Sequence, residues 1–156
     1  MTLKVVCYGV RPNEVPFFEK LNKYNFELRL VEELLTHDNI NTAEGMDAVI
    51  LRGNCVADRQ NIERMSEYGI KYIFTRTVGF NHIDLQAVAD YNMSVARVPG
   101  YSPNAIAEHV VTTVLYISRN IKKILNNVEK HDFTWNKNII SRELRTLTVG
   151  VLGTGN

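Results

Sequence analysis

The stretch Lys71-Tyr72-Ile73-Phe74-Thr75-Arg76-Thr77-Val78-Gly79 decides the fold. Lys71–Thr75 reads as a strand that runs into a glycine turn. Asp84–Tyr91 then reads as a helix, and Met93–Arg97 as the next strand. The same alternation extends toward the N-terminus. Leu3–Tyr8 is an apolar run of the kind that forms a strand buried on both faces of a parallel sheet. Pro12–Tyr24 carries Val15, Phe18 and Leu21 at helical spacing. Glu27–Val31 and Asp47–Leu51 read as strands, with a short helical turn at Asn41–Glu44 between them. Asp58–Tyr68 reads as a helix, with Asp58 as N-cap and Gly69 as the closing glycine. Strands and helices alternating at this spacing predict a doubly wound parallel α/β sheet.

Pro99-Gly100 breaks the rhythm, so a domain boundary is expected there, with residues 1–98 on one side and 99–156 on the other. Ser102-Pro103 is a helix-start signal, a capping serine before a first-turn proline. Ile106, Val110, Val114, Ile117, Ile121, Ile124 and Val128 keep one apolar face, which predicts one helix of about 26 residues and roughly 39 Å. A helix of that length suits a spine between domains or a dimer interface. His131–Arg145 reads as a loop carrying Phe133 and Trp135, and a new strand is expected from Leu147. Thr148-Val149-Gly150-Val151-Leu152-Gly153-Thr154-Gly155-Asn156 then runs from strand into Gly-x-Gly. That is the opening of the dinucleotide fingerprint Gly-x-Gly-x-x-Gly, in which the glycines make the turn and admit a pyrophosphate to a helix N-terminus. Gly153 and Gly155 are present, whereas the third glycine, the helix and the ribose-binding acid would all follow Asn156.

Bulk properties narrow the function classes. The chain has 156 residues, 45% of them hydrophobic and 22% charged, with a net charge of +1. These values suit a globular protein and give no reason to expect nucleic acid or an anionic membrane as partner. Cys7 and Cys55 are too far apart in sequence to suggest a zinc motif or a disulfide framework. The N-terminus lacks the charged, apolar and small-residue blocks of a signal peptide. No apolar stretch approaches the ~18 residues of a membrane span. A cytoplasmic location is the expectation.

Three stretches together resemble a known family. Arg76-Thr77-Val78-Gly79-Phe80-Asn81-His82-Ile83-Asp84 is similar to the Arg-x-x-Gly-x-x-x-Ile-Asp segment of the NAD-dependent D-2-hydroxyacid dehydrogenases. Val98-Pro99-Gly100-Tyr101-Ser102-Pro103-Asn104-Ala105-Ile106-Ala107-Glu108-His109 resembles their hinge and first cofactor-domain helix, in the form found in D-lactate and D-2-hydroxyisocaproate dehydrogenases. Thr148–Gly155 resembles the start of their nucleotide fold. Asp47-Ala48-Val49-Ile50-Leu51-Arg52-Gly53-Asn54-Cys55 resembles in particular the (R)-2-hydroxyglutarate dehydrogenase branch.

The resemblance implies a flavodoxin-like substrate lobe, a long linking helix and the first strand of a truncated Rossmann domain that binds NAD. It implies hydride transfer between NAD(H) and a D-2-hydroxy acid/2-oxo acid, with (R)-2-hydroxyglutarate/2-oxoglutarate as first choice and D-lactate/pyruvate or D-2-hydroxyisocaproate next. The long apolar helix face, for its part, makes a homodimer the expected assembly. The family's catalytic histidine, glutamate and arginine follow the glycine fingerprint, so none is expected here and the 156-residue piece is expected to be inactive. A different class of reading is a free-standing binding or dimerisation module. A chain ending inside Gly-x-Gly fits that reading less well than it fits part of a longer enzyme.

Individual residues keep two readings each. By the resemblance, the backbone N–H groups of Val78 and Gly79 hold the substrate carboxylate, while the simpler reading is a structural glycine turn. Tyr101 resembles the tyrosine whose phenol faces the substrate, though an aromatic at a domain boundary can be packing alone. Arg52 ends the strand Asp47–Leu51 on the ligand edge of the sheet, where a guanidinium suits the second carboxylate of 2-oxoglutarate. The alternative is a solvated surface arginine.

Glu108 and His109 are neighbours on a helix, point about 100° apart, and make no acid–base pair. His82 reads as structural, and His37 and His131 lack metal-ligand spacing. Cys55 reads as a small buried side chain rather than an activated thiol. Titration of this chain with NADH, followed by nicotinamide fluorescence, is expected to show no micromolar binding, because most directional phosphate and ribose contacts would come from residues after Asn156.

Overall fold

The computed structural model describes residues 2–153. Gly155, one of the two expected cofactor glycines, lies outside them. The chain divides into two compact units, Met1–Tyr101 and Ser102–Asn156.

The first unit is a five-stranded parallel sheet with strand order β2-β1-β3-β4-β5. Its elements are β1 (Lys4–Cys7), α1 (Val15–Leu21), β2 (Glu27–Leu30), β3 (Ala48–Leu51), α2 (Arg59–Glu67), β4 (Tyr72–Thr75), α3 (Leu85–Asp90) and β5 (Ser94–Arg97). A 3₁₀ turn at Ile40–Ala43 stands where the sequence suggested a helical turn. Register places Val6 beside Val49, Val49 beside Ile73 and Ile73 beside Val95. The first three of these side chains are fully buried, and they form one core with Ile62 and Met65 of α2 and Ala87 and Val88 of α3. Each large side chain so buried contributes about 1.5–3 kcal/mol. On the opposite face Val5, Cys7 and Ala48 pack with Val15 and Phe18 of α1. Tyr72 and Phe74 of β4 emerge on this second face beyond α1. They are partly exposed and stack on each other at 6.5 Å between ring centroids.

Side chains and left-handed residues set the element ends. The Asp58 and Asp84 carboxylates accept from the Asn61 and Ala87 N–H groups at 3.2 and 2.9 Å, capping α2 and α3. Gly69, at φ +80°, closes the α2 turn in the left-handed region that disfavours any Cβ. The helix expected over Pro12–Tyr24 is shorter. The Asn22 side chain brackets Phe26, accepting its N–H at 2.9 Å and donating to its C=O at 2.8 Å. That local exchange competes with further helical bonds and stops α1 at Leu21.

The second unit departs from the sequence reading in three places. The single long helix is instead α4 (Pro103–Ser118) followed by α5 (Ile121–Glu129). Asn120 lies between them in the left-handed conformation (φ 51°, ψ 31°), and its Nδ2 donates to the Ile140 carbonyl at 3.0 Å. Asparagine tolerates that conformation better than other side chains, so the apolar stripe continues while the backbone turns. The Ser102 side chain makes no capping bond to α4, although Pro103 occupies the first turn as expected. Finally, the strand expected from Leu147 does not form among the described residues. Leu147 itself is extended (φ −106°, ψ 146°), but no neighbouring strand supplies the ladder bonds that define a sheet.

The Asp58 cap yields a stability test. Burial raises its pKa, but the Asn61 N–H and the His37 ring outweigh that effect and hold the carboxyl below its ordinary value. A depressed folded-state pKa gives stability that is present above the unfolded value and lost as pH falls through the folded one. Asp58→Ala is expected to cost about 1 kcal/mol at neutral pH, read by urea denaturation. The difference from wild type should disappear in acid as the carboxyl protonates, while Asp58→Asn should retain most of the cap.

Candidate functional site

Parallel pairing brings the carboxyl ends of β1, β3, β4 and β5 to one edge of the sheet, where open α/β folds bind ligands. Gly9 follows β1 and is buried at φ +67°. A Cβ there would stand 2.8 Å from Arg52 Cδ and 2.9 Å from Leu34 Cδ2, so the left-handed conformation favours glycine and any larger residue would have to push those side chains aside. The Arg52 side chain fills the space beside this glycine, and two guanidinium groups converge on the Gly9 carbonyl. Arg76 Nη2 donates to the Gly9 carbonyl at 3.0 Å, and Arg52 Nη1 does so at 3.4 Å.

Arg76 also reaches the Tyr8 carbonyl at 3.4 Å, pairs with Glu14 Oε1 at 3.3 Å and lies over the Phe18 ring at 5.3 Å. Glu14 in turn accepts the Arg11 N–H at 2.8 Å, and that bond, with Arg76 beside it, holds its carboxyl below the usual range. Arg52 is half-buried, and its backbone N–H donates to Cys55 Sγ at 3.4 Å. Among the described residues neither Arg52 nor Arg97 is paired with a carboxylate. The edge therefore carries three arginine side chains against Glu14, a field that favours an anion.

The turn after β4 sits within that field. Thr75 Oγ1 contacts Thr77 Oγ1 at 2.7 Å, and Thr77 Oγ1 donates to the Gly79 carbonyl at 2.7 Å. His82 Nε2 lies 3.2 Å from Thr75 Oγ1, and burial pushes its pKa down, so the ring is a neutral structural partner at pH 7. On the β5 side, Arg97 Nη1 donates to the Val78 carbonyl at 3.0 Å, with its guanidinium 5.6 Å from the Phe80 ring centroid. Among the described residues the N–H groups of Val78 and Gly79 donate to no protein acceptor. The loop bearing Arg52 abuts this turn, since a Cβ on Gly53 would touch Thr77 Cγ2 at 3.4 Å.

Arg52, Val78 and Gly79 are thus assembled on one edge of the first unit. Tyr101 is 68% exposed and makes no hydrogen bond among the described residues. Gly153 belongs to the second unit and adopts φ +86°, with open space around it. That conformation fits the tight turn required of a first fingerprint glycine. No group of three or more His, Cys, Asp or Glu is placed to hold a metal among the described residues. No described helix is long and apolar enough to cross a membrane.

Comparison with known proteins supplies the family. The model of the catalytic domain of D-isomer specific 2-hydroxyacid dehydrogenases matches residues 4–133. The chain belongs to this family. It is 37% identical over 154 residues to an aromatic 2-oxoacid reductase of Clostridium sporogenes, covering 98% of this chain and 46% of that protein. It is also 37% identical over 155 residues to the D-lactate dehydrogenase of Lactiplantibacillus pentosus, with the same coverage of 98% and 46%. The D-lactate dehydrogenase of Aquifex aeolicus, solved with NAD and lactic acid, superposes with a TM-score of 0.84 at 30% identity, over 97% of this chain and 44% of that one. The chain spans about half the length of the curated relatives it matches. Its five-stranded parallel α/β unit is the family's substrate-domain fold.

Sequence reasoning gave no role to Gly9, Glu14, Arg76 or Arg97. Arg76 was visible as the first residue of the family-like segment. Its partners Gly9 and Glu14 are 67 and 62 residues away, and no sequence spacing links them. A cationic side chain at the end of each of several predicted strands was the signal available for Arg52, Arg76 and Arg97.

Cys7 and Cys55 are buried and unpaired, and burial pushes the Cys7 thiol up to about 11. Neither thiol is expected to react with a disulfide reagent in the native protein at pH 8. Both should titrate at once after unfolding in guanidinium, and fast native-state labelling would contradict the burial.

Proposed function

We propose that the protein carrying this chain is an NAD-dependent D-2-hydroxyacid dehydrogenase, and that this stretch supplies its 2-oxo acid carboxylate site. The observation that carries the reading is the pair of N–H donors at Val78 and Gly79 that find no acceptor among the described residues, set in an edge whose arginines outnumber its acids. A carboxylate placed there would accept both N–H groups as charge-assisted bonds, leaving its carbonyl carbon to be presented outward. The nicotinamide would supply the hydride, and Gly153 would make the first turn of its phosphate loop, with Gly155 following. The second unit is then the start of the cofactor domain, entered through the hinge at residues 98–101. Tyr101 would place its exposed phenol beside the substrate.

Arg52 deepens the reading to a dicarboxylate. Its only side-chain bond among the described residues is the 3.4 Å contact to Gly9, so most of its fork remains available. We favour 2-oxoglutarate on that basis, with pyruvate next, as the D-lactate dehydrogenase relatives suggest. The exposed apolar side chains Ile106, Val110 and Ile117 of α4 support a homodimer. Two buried, unpaired cysteines support a cytoplasmic setting. By itself the 156-residue chain is proposed to be inactive.

The test is NADH oxidation by the full-length protein with 2-oxoglutarate, pyruvate, 4-methyl-2-oxopentanoate and phenylpyruvate in parallel, with the product's configuration assigned. Turnover of any of these to the D-hydroxy acid supports the reading, and no turnover of any overturns it. Arg52→Leu is expected to lower kcat/KM on 2-oxoglutarate roughly 10- to 150-fold, the worth of one charge-assisted hydrogen bond, while pyruvate turnover holds or improves. Equal losses on both would make Arg52 a structural residue and return the substrate to an unspecified 2-oxo acid.

A further inference from the structure

We infer that Arg97, the last residue of β5, is a positioning residue that aims the Gly79 N–H at the substrate carboxylate. The inference rests on the Val78–Gly79 reading above and goes beyond it by naming what sets the turn's orientation. The Val78 carbonyl and the Gly79 N–H belong to one peptide unit, and every described peptide bond is trans. In a planar trans amide the C=O and N–H point in opposite directions. Whatever holds the carbonyl therefore aims the N–H the other way. Arg97 Nη1 holds that carbonyl at 3.0 Å.

Steric fit does not do this work. A Cβ added at Gly79 would meet nothing within 4 Å, so the turn is not wedged in place. A glycine with open space around it can rotate its peptide planes at little cost. Polar contacts hold them instead. Thr77 Oγ1 engages the Gly79 carbonyl and so sets the following peptide unit, whose N–H belongs to Phe80. Arg97 sets the preceding one. The Phe80 ring, 5.6 Å from the guanidinium carbon, limits where Arg97 itself can go.

Two features separate this arrangement from an ordinary surface arginine. Arg97 makes no ion pair among the described residues, so its charge is not committed to a protein carboxylate. Its bond is also to the back of the peptide whose front donor is unengaged. Withdrawing density from the carbonyl oxygen polarises the amide and strengthens its N–H as a donor. Arg97 thus acts through Gly79 on the carboxylate and need not touch the substrate.

The experiment uses the full-length protein with 2-oxoglutarate and pyruvate. Arg97→Gln removes the charge and the fork, whereas Arg97→Lys keeps the charge with a single point donor. The expected result for Arg97→Gln is KM up about 10-fold for both substrates, the scale of losing one charge-assisted bond, with kcat within about twofold. The Kd for NADH and the Tm should hold. Arg97→Lys should recover part of the KM loss.

Unchanged KM in Arg97→Gln with an active wild type overturns this inference alone. So does a loss that appears equally in kcat, KM, NADH affinity and Tm, which is the pattern of a general fold defect. A wild type that turns over no 2-oxo acid overturns the underlying site reading together with this one. The two failures are therefore told apart by the wild-type assay.

Discussion

In-register parallel pairing of β1, β3, β4 and β5 is the constraint on which the candidate site depends. Gly9, Arg52 and Arg76 continue one register line past the ends of β1, β3 and β4, and Arg97 closes β5 level with Thr75. Gly9, Arg52, Arg76 and the residue closing β5, Arg97, are remote in sequence and neighbours only through this ladder. Burial of Val6, Val49 and Ile73 in one row enforces it. A one-residue slip of any strand would turn that row out of the core and exchange the side chains at the edge.

Gathering positive charge at one edge has a cost that the structure offsets locally. Arg52 and Arg76 both approach the Gly9 carbonyl, and like charges at that range repel. Glu14 compensates from the start of α1, held by the Arg11 N–H and paired with Arg76. The Phe18 ring beneath Arg76 adds a cation–π contact while keeping water from one face. Among the described residues compensation stops there. Arg52 and Arg97, on either side of the Val78–Gly79 turn, pair with no carboxylate among those residues.

The first unit was largely legible in the sequence, because its information is local. Apolar runs, the Asp58 cap and Gly69 marked the elements, and the structure keeps all five strands and three helices within a few residues. Reading failed where a local signal met a competing contact. The Asn22 amide outbid the next turn of α1, and Asn120 interrupted a stripe that runs on unbroken in sequence. Hydrophobic periodicity reports which face is apolar and says nothing of one left-handed residue within it. The Leu147 strand failed for a different reason. A strand is completed by its neighbour, and β-branched composition supplies none.

By itself the sequence determined the α/β class, the order of elements in the first unit, the glycine turn after β4 and the family, since each is written in local pattern or in a contiguous motif. Tertiary structure alone decided which cations meet. The Arg76–Gly9 bond, the Glu14 counter-charge and the Arg97 hold on the Val78 carbonyl join residues 67, 62 and 19 positions apart. Such contacts arise only when parallel strands align, because hydrogen bonds depend on distance and direction in space. No property of any one segment encodes them.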